Sequence, residues 1–578
     1  MKTSPGTVDT NMHTIPLPLP RHLAMSLPHA VRAVRAQSGR IPDLDIDIGG
    51  HMTPRSIFGV AVLGDRVMRG DDAAARMQAA HALLARMVHE RRRIYGVTTG
   101  YGPLASHPVT PEHAEELQRH LLYHLASGVG RPLSDAHVRA TMAARAASLA
   151  RGHSGIGDPL FQLLLDCLNA GITPVVPEMG TVGASGDLTP LAHIGLALIG
   201  EGEVTVRGTR MTSADALAAA GLTPAVLGHK EGIALVNGTS CMTGIASVNA
   251  ERARRLFALS TRVAVVYAEC LTGRAEAWDA RIGAVRAHPG QVAAHAALNR
   301  WSAGSTRLIP GEAMPPTLDE STVINGWLAE GECPQDPYSI RCVPQEIGAA
   351  LDVLAFHDQI VTTELQSVTD NPLILADDGT ILHGGNFYGQ HVAFASDALA
   401  LAVIKVAIHA ERCLARLTDV AQNKGLPAFL HGGQAGVNSG FMGAQVTASA
   451  LIAEMRARGT PASIQSIPTN ANNQDVVTMG TIAARKTAEH LDMAFQVLAI
   501  QSLAVAQAAE LRADTTLEGF APASRELVAW VRMQAPSLGT DRSLSAEIMA
   551  MAAALETVDW MDSPPPAPLG RVPMLLVQ

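Results

Sequence analysis

The chain is poor in several things at once. It has no excess of basic residues: the net charge is −9, so the electrostatic footprint of a nucleic-acid-binding protein is missing and that partner is set aside. Cysteine is sparse. Cys167, Cys241, Cys270, Cys333, Cys342 and Cys413 are scattered without a C-x-x-C pair, which argues against a disulfide framework or a zinc site and for a reducing, cytoplasmic setting. No uncharged apolar run reaches the roughly 18 residues a membrane span needs, so no membrane partner is expected. The opening segment, MKTSPGTVDTNMHTIPLPLPRHL, lacks the apolar core of a secretory signal, and none is expected. Aromatic residues make up only 4%, against 47% hydrophobic and 17% charged residues. That balance is globular and far from the disordered class. Its apolar content is mostly alanine and leucine, which favour helix.

What is present is helical periodicity. AAARMQAAHALLARMVHERRR carries apolar residues at i, i+3, i+4 spacing and ends in a basic cluster suited to a helix C-terminus. Further helices are predicted at 111–128, 136–151 and 158–170, and EVTVRGTRM reads as a small hairpin. The central region predicts four long helices: Cys241 to Leu271, a second through SIRCVPQEIGAALDVLAFHDQIVTTELQSVTDNP and ended by Asp370-Asn371-Pro372, a third through FYGQHVAFASDALALAVIKVAIHAERCLARLTD, and a fourth from Asp475 to Arg512. Pro344 falls in the opening turns of the second or kinks it. Charges interrupt all four, so a bundle of long antiparallel helices is the natural solution. At 578 residues the chain exceeds one ordinary core. The expected divisions are a poorly ordered leader (1–40), an N-terminal domain (41–230), a long-helix bundle (231–515) and a C-terminal helical segment and tail (516–578).

One stretch breaks the helical rule. GTVGASGDLTPLAH, from Gly180 to His193, offers almost no side chain to pack. One reading is a tight turn before a helix, capped by Asp187 or Thr189 with Pro190 in the first turn. The other is chemical. If the chain folds back here, the Gly186 amide nitrogen can attack the Ala184 carbonyl carbon. Loss of two waters, one taking the Ser185 hydroxyl, closes a five-membered ring bearing an exocyclic methylidene. Gly186 supplies an unhindered nitrogen, Ser185 a leaving hydroxyl, and Ala184 and Gly183 leave room for the bend. The following helix would aim its positive N-terminus at the ring.

Other segments decide between these readings. GTVGASGDLTPLAH together with IYGVTTGYGP, LVNGTSCMTG, DPYSIRCVPQ, TDNP, HGGNFYGQH, NSGFMGAQVT and SIQSIPTNANNQD resembles the aromatic amino-acid ammonia-lyase and aminomutase family. The similarity runs from about residue 45 to 515, with the motifs in the family's order. The resemblance implies a mainly α fold, with a smaller N-terminal domain carrying the ring loop. It implies a 4-methylidene-imidazol-5-one group made from Ala184, Ser185 and Gly186, and a homotetramer in which each active site draws on three chains. It also implies that Tyr95 is the base that takes the substrate β-proton, with Gly102 on the same loop. Arg341 then binds the carboxylate beside Asn237. Tyr338, Asn386 and Gln474 line the pocket near the ring and amine, joined by Asn470 and Asn473.

The chemistry suits those residue types. An α-amine is a poor leaving group and a β-proton is weakly acidic, so an electrophile and a placed base are both needed. A carboxylate wants the planar fork of an arginine. His383 and His391 have no metal-ligand context and read as structural polar groups. HGGQAGVNSG lacks the Lys-Ser/Thr of a phosphate loop, so neither a metal nor a nucleotide is expected. In LLYHLASGVG, His124 and Leu125 stand where the family recognises the substrate ring. Tyrosine lyases of bacterial type carry His-Leu there, and many phenylalanine lyases Phe-Leu. An imidazole can pair with a phenol and would be stranded by a benzene ring. Asn470 stands where the phenylalanine lyases carry Glu. The expected activity is elimination of ammonia from L-tyrosine to 4-coumarate. The alternatives are a tyrosine 2,3-aminomutase, a phenylalanine or histidine lyase, or an inactive helical scaffold.

Overall fold

The computed structural model describes residues 45–311, 323–328, 333–513 and 516–561. The expected leader (1–40) and the tail beginning DSPPPAP lie outside them.

Five helices make the central bundle: α1 (Ser240–Cys270), α2 (Val343–Leu365), α3 (Gln390–Thr418), α4 (Met442–Ala457) and α5 (Gly480–Ala513). α5 packs against both α1 and α3, and α2 lies on α1 and α3. Alanines at 494, 499, 504, 506, 508 and 509 let α5 approach its neighbours closely, and all are buried. By length and composition α3 and α5 are apolar enough to cross a membrane. However, 61% and 83% of their most apolar windows are buried inside the chain, as in core helices. One hydrophobic cluster runs through this bundle and takes in the C-terminal helices Pro522–Gln534 and Ser545–Thr557. A second is built from residues 48–248, with Val361, Leu365, Val392 and Ala484 reaching in from the bundle helices.

Three boundaries differ from expectation. The segment from Ser339 to Leu365 is not one helix: a single turn, Tyr338–Arg341, stops at Cys342 and α2 restarts at Val343. Pro344 lies in the first turn of α2, where its missing N–H costs nothing. α5 begins at Gly480, five residues after the expected start, because Asn470, Ala471, Asn472 and Met479 all have positive φ and hold the preceding segment as a loop. The 111–128 helix begins as a 3-10 turn at Pro111–His113, becomes α-helical at Ala114 and ends at Leu125. The predicted hairpin is present: Glu203–Val206 pairs antiparallel with Thr209–Thr212, and Ile172–Pro174 adds a third strand with Ile172 opposite Val206.

Candidate active site

Residues 180–187 form a loop pinned at the meeting point of three helix N-termini: the Leu188–Leu198 helix, α1 and α5. Gly186 has φ +72, and a Cβ there would collide with the Gly238 carbonyl, so only glycine fits. The two strands of chain are joined on both sides of that contact. Asp187 N–H donates to Gly238 O at 2.8 Å, and Gly238 N–H donates to Ser185 O at 3.4 Å. Asn237 Nδ2 donates to the same Ser185 oxygen at 3.3 Å. Gln474 Nε2 donates to Ser185 Oγ at 3.2 Å. Thr478 Oγ1 donates to Gly183 O at 3.1 Å, and Met479 N–H to Val182 O at 2.9 Å. Asp187 does not cap its own helix with its side chain, contrary to expectation. Its carboxylate instead accepts from Met242 N at 2.8 Å and from Thr481 Oγ1, tying the loop to α1 and α5. Complete burial outweighs these bonds and pushes its carboxyl up to about 6.

The tyrosine loop sits against the same wall. Tyr95 Oη accepts the Gly102 N–H at 2.8 Å, and Tyr95 N–H donates to His383 Nε2 at 3.2 Å. Gly102 also lies against the Asn470 side-chain amide, so Tyr95, Gly102 and Asn470 form one patch. Asn470 and Asn473 close a turn, with Asn473 N–H on Asn470 O at 3.0 Å. That turn ends at Gln474, whose Oε1 accepts from Thr469 Oγ1 at 2.8 Å. Patch and ring loop are therefore joined through residues 469–474. The neighbouring Tyr101 meets Tyr95 edge-on, with centroids 6.2 Å apart. Burial pushes the Tyr101 phenol far above the usual tyrosine range.

His124 ends its helix on an exposed face with Nδ1 3.1 Å from His120 O. A carbonyl only accepts, so in the neutral imidazole Nδ1 carries the proton and Nε2 is the acceptor. Leu125 beside it packs on the same N-terminal core as Tyr95. Asn386 is exposed and donates to Val368 O at 3.3 Å. Tyr338 and Arg341 stand apart. The Arg341 guanidinium lies 4.5 Å from the Tyr338 ring centroid, its Nε has no hydrogen-bond partner, and Tyr338 is 69% exposed. Among the described residues neither hydrogen bonds to the Ala184-Ser185-Gly186 tripeptide. The turn that carries them is held from behind: Tyr267 Oη bonds Ser339 Oγ at 2.9 Å, His409 Nε2 donates to Ser339 O at 3.0 Å, and Trp278 Nε1 donates to Ile340 O at 3.0 Å.

Residues 52–533 match the family described as aromatic amino acid lyase. The chain belongs to that family. It is 49% identical over 517 residues to a tyrosine ammonia-lyase of Cereibacter sphaeroides, covering 89% of this chain and 98% of the relative. It is 42% identical over 507 residues to a histidine ammonia-lyase of Symbiobacterium thermophilum, covering 88% and 96%. Its fold matches a crystal structure of tyrosine aminomutase from Streptomyces globisporus with a TM-score of 0.83 at 35% identity, covering 89% and 97%. Membership makes the chain a carbon–nitrogen lyase of the aromatic amino-acid type.

Several residues of this lyase's site carry no signal in isolation. Gly238, Thr478 and Thr481 act from 51 to 295 positions away from the residues they hold. Of the three, Gly238 alone lies in one of the sequence motifs, LVNGTSCMTG, next to Asn237. Asp187 was legible as a helix cap, the one role its side chain does not play.

Proposed function

We propose that this lyase is a tyrosine ammonia-lyase, releasing ammonia from L-tyrosine to leave 4-coumarate, with a 4-methylidene-imidazol-5-one group formed from Ala184, Ser185 and Gly186. One observation carries the reading: Asn237 Nδ2 and Gly238 N–H converge on the Ser185 carbonyl oxygen while Gly186 is pressed against Gly238. Ring closure joins Gly186 N to the Ala184 carbonyl carbon. The Ala184 oxygen leaves as water with the protons of Gly186 N and Ser185 N. The Ser185 hydroxyl leaves as a second water with the Ser185 α-proton, so no oxidant is consumed. Loss of that α-proton develops negative charge on the Ser185 oxygen, where two preorganised donors wait.

The finished group supplies an electrophilic carbon toward the substrate. The chain's other residues then bind, orient and deprotonate. Tyr95 Oη takes the β-proton, and Gly102 fixes the direction of its ring. Arg341 forks the carboxylate, with Asn237 beside it. Tyr338, Asn386 and Gln474 surround the amine, with Asn470 and Asn473 behind them. His124 Nε2 accepts the phenolic O–H, and Leu125 packs on the substrate ring. Exposed Phe394 and Leu401 on α3, and Met442 and Val446 on α4, are apolar surface that suits burial between chains. Together with the unpartnered Arg341, they support a homotetramer with shared sites. The free cysteines fit a reducing cytoplasm.

The test is the product formed by the purified chain from L-tyrosine, with L-phenylalanine and L-histidine run beside it. 4-Coumarate in preference to the other two products supports the proposal. β-Tyrosine selects the aminomutase reading, which the Streptomyces globisporus fold match favours. Absence of any product leaves an inactive scaffold.

A further inference from the structure

Behind the ring loop lies a charge cluster that the elimination chemistry does not use. Arg145, on the Asp135–Leu149 helix, is 1% exposed, and Lys230 and Asp370 are fully buried. Lys230 Nζ donates to Asp370 Oδ2 at 2.6 Å. Asp370 also attracts Arg145, so two buried cations share one carboxylate. Arg145 Nη1 donates to Asn237 O at 2.7 Å, while its Nε and Nη2 have no hydrogen-bond partner. Unpaired buried donors are costly, and a charge held this way calls for a reason beyond packing.

The carbonyl that Arg145 grips belongs to the Asn237–Gly238 peptide, and the N–H of that same peptide points at Ser185 O. A cation on the oxygen of a peptide strengthens its N–H as a donor, because hydrogen bonds in a chain polarise one another. Gly238, with φ +139, makes the approach feasible: a Cβ there would run into Arg145 Nη1 and the Thr369 carbonyl. The TDNP segment builds the back wall. Thr369 Oγ1 accepts from Thr239 N at 3.4 Å, and Asp370 anchors the two cations. Asn371 Oδ1 accepts from Gly384 N at 2.7 Å, next to the histidine that takes the Tyr95 N–H.

We propose that Arg145 is a positioning residue for ring closure: through the Asn237–Gly238 peptide it aims and polarises the N–H that holds the Ser185 carbonyl oxygen. In the step it assists, the Ser185 Cα–H and Cβ–Oγ bonds break, a Cα=Cβ bond forms, and the proton and hydroxyl depart together as water. The inference rests on the ring reading above.

Intact mass of the purified full-length wild type, Arg145→Lys and Arg145→Gln, with thermal unfolding measured alongside, tests it. Wild type should be two waters lighter than its sequence. In Arg145→Gln the fraction at that mass should fall about tenfold, less than the loss from deleting an oxyanion donor outright. Arg145→Lys, which keeps the charge, should lie between, and the surviving ring-bearing enzyme should keep its KM. A merely structural role would lower the unfolding temperature and leave the dehydrated fraction whole. Full dehydration in both variants overturns the inference, and so does failure of both to fold. A wild type at full sequence mass overturns the ring reading and this inference with it, whereas dehydrated wild type with fully dehydrated variants overturns the inference alone.

Discussion

Two parts of the site are finished to different degrees. Around Ser185 one chain supplies most of the partners: its carbonyl takes two donors, its hydroxyl one, and the Asp187 carboxylate two more, while Asn237 Oδ1 and two Arg145 nitrogens behind it have none. Around Arg341 the opposite holds. A guanidinium nitrogen is unpartnered and rests on a tyrosine that is mostly exposed. Buried polar groups are costly unless satisfied, and the two regions differ in how many partners one chain supplies to the groups that would react. We propose that the difference separates making the electrophile, which draws on one chain's contacts, from gripping the substrate at Arg341, which calls for a second copy.

Substitutions can break that contrast at either end. Ser185→Ala removes the leaving hydroxyl, so nearly all turnover should vanish while the chain still folds; intact mass should show no two-water deficit. Substantial turnover in that variant would contradict the role given to Ser185. Tyr95→Phe should slow the chemical step by about 10²–10⁴, the usual share of a general base, with ring formation and KM largely kept. Near-normal turnover would move the base elsewhere, with Tyr338 the next to test.

At the open end the effects should be smaller. Arg341→Lys keeps the charge but loses the fork, and a lost charge-assisted bond of about 1.5–3 kcal/mol lowers kcat/KM roughly ten- to hundredfold. An unchanged kcat/KM would remove Arg341 from carboxylate binding. His124→Phe should cost tyrosine roughly 1–3 kcal/mol and hold or raise kcat/KM for phenylalanine, so the preference collapses or inverts. Steady-state rates with both amino acids measure it, and an unmoved ratio places selectivity at another residue.

A further effect, on stability rather than turnover, is on pH. Asp187 titrates at about 6 in the folded chain, against about 4 when unfolded. The folded state holds this proton more tightly, so the group's contribution to stability is full below pH 4 and is lost as pH rises through about 6. Asp187→Asn should abolish that part of the decline, read from denaturant melts at pH 4 and 7. Identical pH slopes in the two proteins would place the carboxyl elsewhere on the scale.

The long helices were legible because 3.6-residue periodicity survives in a sequence rich in alanine and leucine, whereas the break at Cys342 before α2 was not. Their ends were less so. The start of α5 depends on residues from Asn470 to Met479 adopting left-handed conformations, which propensity does not foresee when the residues are not glycine. The tripeptide and Tyr95 stand in short motifs, which is what singles them out in the sequence. The second layer was not. Asp187 reaches Met242 and Thr481, Arg145 reaches Asn237, and Lys230 reaches Asp370, all across sequence distances over which no local pattern carries information. TDNP was visible as a motif, but only the packing shows that it backs the ring loop and steadies the tyrosine loop.

The contrast between the two halves is tested most directly by complementation. Ser185→Ala and Arg341→Ala chains, each inactive alone, are co-expressed with different tags and purified as mixed assemblies. If ring and arginine come from different chains, random assortment restores both wild-type groups in roughly a quarter of the sites. 4-Coumarate formation from L-tyrosine should then return to a comparable fraction of the wild-type rate. Mixed assemblies as dead as either parent would show that Ser185 and Arg341 must belong to one chain.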